Sequence, residues 1–172
     1  MYYDAPSNAL SPQFPQLANL LELESGACQI GGMNEQIDLR RTWRQNWLGC
    51  LQELADADLQ RRMWLDPQNQ NPHWSYIEFM CSYFDDTLYG KGYDWAIGER
   101  LVTKEEVDAV AALHHLLATH EAPGGDDYNN ERVLNDPAWN QIVEEAKRAT
   151  EKLALLLSDP AEKTILTRAP IS

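Results

Sequence analysis

Three times in this chain a helix-starting signal stands at the head of an apolar stripe of helical period. Ser75 and Glu78 form an S-x-x-E capping box, and Ile77, Cys81, Phe84 and Leu88 follow at i, i+4, i+7 and i+11. Thr103 and Glu106 repeat the box as T-x-x-E, leading into Val107, Val110, His114 and Leu117, with Leu113 and Leu116 widening the face. Asp136 is a cap with Pro137 at the first helical position, and Trp139, Ile142, Val143, Ala146, Ala149, Leu153 and Leu156 or Leu157 face inward behind it. Such boxes satisfy first-turn amides that no carbonyl inside the helix can reach, and the period leaves each helix one face to bury. Alternating apolar and polar residues, the mark of a half-buried strand, persist nowhere.

A fourth long helix is expected from Asn34, as N-cap, to about Ala55, its stripe being Ile37, Trp43, Trp47, Leu51 and Leu54, widened by Cys50. "DADLQRRMWLD" reads as a shorter helix that continues or bends from it, stopped by Pro67. Between the helices lie the polar loop "PQNQNP", the glycine-punctuated linker "GKGYDWAIGERLV" and the turn-rich "EAPGGDDYNN". Residues 1–33 hold three of the nine prolines and three of the nine glycines, giving an irregular lead-in in which Pro15 is placed to open one short helix. The expectation is an all-α protein: an irregular or orthogonal bundle of four long helices plus short ones. It has an extended lead-in over 1–33, a helical domain over 34–158 and a tail over 159–172 that adds at most a turn.

The 172 residues suffice for one domain with a real core, and 44% hydrophobic against 24% charged residues is an ordinary globular balance. No apolar run is long enough to span a bilayer, and "MYYDAPSNAL" lacks the basic and apolar regions of a signal peptide, so a soluble cytoplasmic protein is expected. Cys28, Cys50 and Cys81 form no CxxC pair; Cys50 and Cys81 read as small, reduced core residues. Net charge is −13. Residues 78–136 carry thirteen acidic against four basic side chains, a net of −9. A field of that sign repels nucleic acid and anionic lipid and favours a basic partner. The one basic cluster, Arg40, Arg41 and Arg44, is short and is expected to pair with acids elsewhere or with the helix's own surroundings.

Asp85 and Asp86 fall in the last turns of their helix, where the macrodipole disfavours each exposed carboxylate by about 0.3–1 kcal/mol. Three roles are open to them: aspartates screened by water or paired internally, a surface for a cation on another molecule, or metal and acid–base chemistry. "DDTLY" lacks the fifth-position acid of diphosphate-binding D-D-x-x-D motifs. His114, His115 and His120 make neither an H-x-x-x-H face nor an E-x-x-H motif, and His114, between Val110 and Leu117, reads as a core-edge histidine with one hydrogen bond. No G-x-S-x-G elbow or phosphate-binding glycine loop occurs, and no cofactor is implied. Trp95 stands beside Tyr93 and Asp94 in the glycine-bounded linker; it either folds back over helix ends or anchors a partner.

A small, acidic helical chain without a catalytic motif resembles bacterial toxin-immunity proteins. The blocks "WSYIEFMCSYFDD…GYDW" and "LNDPAWNQIVEEA" carry that likeness, which is one of general type. The resemblance implies a non-enzymatic protein that caps a cognate toxin, often a basic nuclease. The expected partner surface is Asp85, Asp86, Tyr93, Asp94, Trp95 and Glu99, with Asp126, Asp127 and Tyr128. The alternative is a metal-dependent enzyme using Glu78, Asp85, Asp86 and His114 between helices.

Overall fold

The computed structural model describes residues 29–71 and 73–167, with side chains from Asp38 onward. It is all-α. In chain order the helices are α1 (Gln29–Ala55), α2 (Ala57–Trp64), α3 (Tyr76–Cys81), α4 (Tyr93–Gly98), α5 (Lys104–Thr119), α6 (Asn130–Leu134), α7 (Pro137–Leu156) and α8 (Pro160–Thr167). A π-helical turn, Ser82–Thr87, continues α3, and no strand occurs among the described residues. No helix among them is long and apolar enough to cross a membrane.

The core forms where α7 packs against both α1 and α5. It is filled by Trp47, Leu48, Leu51 and Leu54 from α1, Val110, Leu113 and Leu117 from α5, and Trp139, Ile142, Ala146, Ala149 and Leu153 from α7. The caps that predict these helices are formed, the box at Thr103 in both directions and that at Ser75 by the serine alone, without the return bond from Glu78. Glu106 N–H donates to Thr103 Oγ1 at 3.2 Å while Thr103 N–H donates to Glu106 Oε2 at 2.8 Å. Ser75 Oγ accepts from Glu78 N–H at 3.3 Å, and the Asp136 carboxylate accepts from Ala138 N–H at 3.2 Å with Pro137 first in α7. Asp56 caps α2 by accepting from Leu59 N–H at 2.9 Å, so α2 begins one residue after α1 ends.

Four expectations are corrected. Helix α1 already runs from Gln29, so Asn34 is not its cap, and Gly31 and Gly32 lie inside it. A helix that is already propagating carries a glycine at a cost of about 1 kcal/mol. The rest of the expected lead-in, with Pro15 and Cys28, lies outside the described residues, as does the side chain of Ile37. On α3 and the π turn the buried face is Tyr76, Phe79, Tyr83 and Leu88; Ile77 and Phe84 are half-buried and Cys81 is exposed. Tyr76, Phe79 and Tyr83 keep ordinary α spacing, so the stripe is displaced because three aromatic rings bury more area than the alternative set, while the π turn lets Leu88, a member of the expected stripe, join that face five residues after Tyr83. The supposed linker contains α4, held down by buried Tyr93 and Ala96 and entered through Gly92 at φ 76°, a left-handed conformation that suits glycine. The expected tail instead forms α8, which lies along α1.

The π turn is fixed from below. Trp43 Nε1 of α1 donates to the Thr87 carbonyl at 2.8 Å, and Cys50 Sγ lies 3.9 Å from Thr87 Oγ1. The Gly90 N–H closes the segment on the Phe84 carbonyl at 2.9 Å. Asp85 and Asp86 are thereby turned outward on an element whose inner side is anchored.

Candidate functional site

The loop from Asp66 to Ser75 is built from side chains that bond their own backbone. Asp66 accepts from Gln68 N–H at 2.9 Å, Asn69 from Asn71 N–H at 2.9 Å, and Asn71 from His73 N–H at 3.1 Å. Asn69 also donates to the Met63 carbonyl at 3.1 Å. Across from it, Asn130 at the head of α6 joins two segments: its Nδ2 donates to the Trp64 carbonyl at 3.1 Å and its Oδ1 accepts from Tyr76 N–H at 3.0 Å. That bridge draws the end of α2, the start of α3 and the 126–130 loop together. An open cleft of about 370 Å³ results, with Trp64, Trp74, Ile77 and Tyr128 as apolar walls and Asp66 and Glu78 as carboxylates. Tyr128 is 80% exposed, whereas Trp64 is buried and its Nε1–H finds no acceptor among the described residues.

From this cleft an acidic strip follows the outer side of α3 and the π turn through Glu78, Asp85 and Asp86, all exposed. Neighbouring groups register its field. The exposed Cys81 thiol is pushed up by partial desolvation and then by Asp85, Glu78 and Asp86. Such a thiol is neither the core residue the sequence suggests nor an activated nucleophile. Tyr76, at the head of α3, is pushed up to about 12 by burial and by Asp127 from the 126–130 loop.

Of the thirteen acids between Glu78 and Asp136, eleven are exposed, Asp136 is half-buried and Glu106 is buried. Among the described residues only Glu106 of this set lies within ion-pair distance of a lysine or arginine, namely Arg44 at 2.7 Å. Arg44 therefore does pair with acids elsewhere, as expected, while Arg40 and Arg41 are exposed. A second open cleft, about 310 Å³, lies between Gln52, Asp56, Asp58, Lys147 and Leu166.

The remaining predicted partner residues separate. Asp94 and Glu99 are exposed at α4, and Asp126 and Asp127 are exposed beside Tyr128. Trp95 is half-buried against the core, with Tyr89 edge-on at 4.9 Å and Lys91 Nζ 5.8 Å above its ring. Tyr89, 45% exposed, is held at φ 52°. Tyr93 is not a surface anchor. It is 7% exposed; its hydroxyl accepts from Trp47 Nε1 at 2.9 Å and lies 3.0 Å from Tyr83 Oη. Tyr83 Oη in turn lies 3.3 Å from His114 Nδ1, the single core-edge bond expected of that histidine. Burial, then His115, lowers the His114 pKa.

The set Glu78, Asp85, Asp86 and His114 is not brought together: among the described residues no group of three or more His, Cys, Asp or Glu side chains is placed to hold a metal ion. His114 is committed to the Tyr83–Tyr93 relay, while the three acids lie on the outer strip. The other histidine relay, Tyr76 Oη to His120 Nδ1 at 3.0 Å with His120 Nε2 3.4 Å from Asp136 Oδ2, has the outline of a triad. Tyr76 is 3% exposed and packs edge-on against His120 and Trp139, so its hydroxyl belongs to the core rather than to an open site.

Sequence reasoning missed Trp64, Trp74 and Asp66. The available signal was two tryptophans bracketing a run of Asp and Asn spaced to form consecutive turns.

The cleft's loop is also tied to α1. His73 Nε2 lies 3.5 Å from Oε2 of buried Glu53, whose Oε1 has no hydrogen-bond partner among the described residues, and the His73 ring meets Trp74 edge-on at 5.0 Å. The bond to Glu53 outweighs desolvation and raises the His73 pKa. A folded-state pKa above the unfolded one, about 6.5, gives stabilisation complete below that pH and lost as pH rises through the folded value. His114 works in the opposite sense, because folding keeps it neutral and its contribution falls away in acid. The comparison is therefore made against His73→Gln. Urea unfolding from pH 6 to 8 is expected to show wild type losing stability relative to the variant as pH rises; a pH-independent difference would mean the pair contributes nothing.

No curated protein and no solved structure matches the chain. One family model, described as a domain of unknown function (DUF7945), matches residues 40–161, from the exposed arginine of α1 to the first turn of α8, and the chain belongs to that family.

Proposed function

We propose that this chain is a non-enzymatic acidic binding protein of the bacterial immunity type, working in the cytoplasm to neutralise a basic toxin such as a nuclease. The observation that carries this reading is the outward, unneutralised charge. Eleven of the thirteen acids between Glu78 and Asp136 are exposed, and among the described residues only buried Glu106 of this set lies within ion-pair distance of a lysine or arginine. Surface charge left unpaired contributes little to stability and works against the compact state through self-repulsion. Its benefit is to encounter: complementary potential raises the association rate with a cationic partner and disfavours anionic ones. Glu78, Asp85 and Asp86 on one anchored element, with Asp126, Asp127 and Tyr128 on the adjoining loop, make the face a basic partner would meet first.

The test combines identification with kinetics. Capture from host lysate at low and high salt, read by mass spectrometry, is expected to return a basic protein that high salt removes. With that protein purified, the double variant Asp126→Lys, Asp127→Lys is expected to slow association at low ionic strength by about tenfold, with a much smaller effect on dissociation. An unchanged association rate would end the reading. Loss of the partner's catalytic activity on titration with this chain distinguishes an inhibitor from a passive binder.

A further inference from the structure

The cleft beside Asn130 has a composition that selects its occupant. Of its amide side chains, Asn69 and Asn130 each use both ends on the protein's own backbone and the Asn71 carbonyl oxygen is taken by His73 N–H, so neutral amide groups remain only at Gln70 and the Asn71 nitrogen. The charged groups decide what kind of ligand fits. Two exposed carboxylates, Asp66 and Glu78, stand among Trp64, Trp74 and Tyr128, and no lysine or arginine lines the walls. Asp66 has one oxygen engaged, by Gln68 N–H, and the Glu78 carboxylate accepts no hydrogen bond among the described residues. Aromatic faces attract cations through the ring quadrupole, and carboxylates bind a guanidinium through paired charge-assisted bonds. An anion would meet repulsion here, and a purely apolar side chain would leave both carboxylates facing it.

The volume, about 370 Å³, is at the small end of ligand sites and suits one long side chain with its flanking backbone. The loop's successive side-chain turns hold the walls in place before anything binds, which lowers the ordering cost of association.

We propose that this cleft is the anchor pocket of the interaction face, and that it takes an arginine side chain of the basic partner protein. The guanidinium pairs with the carboxylates of Asp66 and Glu78, its plane against Trp74 and Tyr128. The assignment rests on the proposed function for the nature of the partner, but its geometry is that of the cleft alone.

The experiment uses the full chain and three blocked pentapeptides, Gly-Gly-X-Gly-Gly, with arginine, citrulline or glutamate as X. The indole N–H resonances of Trp64 and Trp74, assigned with Trp64→Phe and Trp74→Phe, are followed through each titration. The arginine peptide is expected to move both resonances saturably. Citrulline, equal in shape but uncharged, should bind at least about tenfold more weakly, and glutamate should not bind. Tyr128→Ala and Glu78→Gln, both at exposed positions, are each expected to weaken the arginine peptide about three- to tenfold. Equal binding of citrulline and arginine, or indifference to both variants, would overturn the pocket. Spermidine moving both resonances as strongly as the arginine peptide would overturn the assignment to a protein side chain. If the arginine peptide fails while the basic partner still associates in a salt-sensitive way, the pocket is lost and the acidic face stands. If association is also insensitive to charge reversal, the functional reading falls with it.

Discussion

Replacing Arg44 with alanine is expected to destabilise the protein by about 3–5 kcal/mol. Arg44 is 7% exposed and all three guanidinium nitrogens are used. Nε and Nη2 donate to Glu162 of α8 at 2.5 and 2.8 Å, Nη2 and Nη1 to Glu106 of α5 at 2.7 and 3.1 Å, and Nη1 to the Leu101 carbonyl at 2.8 Å. Burial opposes its charge, but Glu162 and Glu106 more than offset this and hold its pKa above the ordinary value. One cation thus ties α1, the approach to α5, the α5 capping box and α8. Without it two carboxylates face each other with no counterion, and one of them is the Glu106 that closes the cap on Thr103. Urea unfolding measures the loss, and amide exchange in α8 should rise first, because Glu162 is that helix's charged link to α1. Arg44→Met combined with Glu106→Gln and Glu162→Gln should lose less than Arg44→Ala alone, since no buried charge is stranded. An Arg44→Ala protein within 1 kcal/mol of wild type would show that the cluster opens to water without cost.

The helix starts were legible because capping is local chemistry. Each of Ser75, Thr103 and Asp136 acts on an amide two or three residues away, and all three bonds form. The α5 and α7 stripes were legible because those helices are regular, so a fixed angle per residue maps sequence onto face. That mapping fails on α3, where two faces are apolar at helical spacing and the aromatic one, Tyr76, Phe79 and Tyr83, is the one buried, a choice the period alone does not make. It also fails for Tyr93. Its surroundings, two glycines and an aspartate, read as surface, but its hydroxyl completes a buried relay with Trp47 and Tyr83, residues 46 and 10 positions away. The cleft was least legible. Glu78 and Tyr128 were visible as an acid and an aromatic. What joins them is Asn130 reaching 66 residues back to Trp64 and 54 to Tyr76, contacts that no spacing in the sequence encodes. Charge was easier to read, since an acid without a basic neighbour in the chain is exposed far more often than paired.

Trp139→Ala is expected to cost about 3–5 kcal/mol, and the pattern of that loss says how the core supports the cleft. The ring is 1% exposed and lies 5.7 Å from Trp64, 5.3 Å from Tyr76, 6.2 Å from Phe79 and 5.2 Å from His120, so it is shared by α2, α3 and the end of α5. Its Nε1–H donates to Gln60 Oε1 at 2.9 Å. Gln60 is fully buried, and its Nε2 donates to the carbonyls of Glu53 and Leu54 at 2.9 Å each, closing the break between α1 and α2. Two losses can therefore be separated. Trp139→Phe keeps most of the ring contacts but strands the Gln60 oxygen, and should cost about 1–3 kcal/mol, seen as faster amide exchange at the α1–α2 junction. Trp139→Ala adds a cavity directly behind Trp64, a wall of the cleft. At temperatures where both variants remain folded, the alanine protein should bind the arginine peptide more weakly and the phenylalanine protein should not. Equal binding by the two would show that the cleft's walls stand without the aromatic cluster behind them. An unfolding cost below 1 kcal/mol for the alanine variant would show that neighbouring rings collapse into the space, and that Trp139 is not the centre of this core.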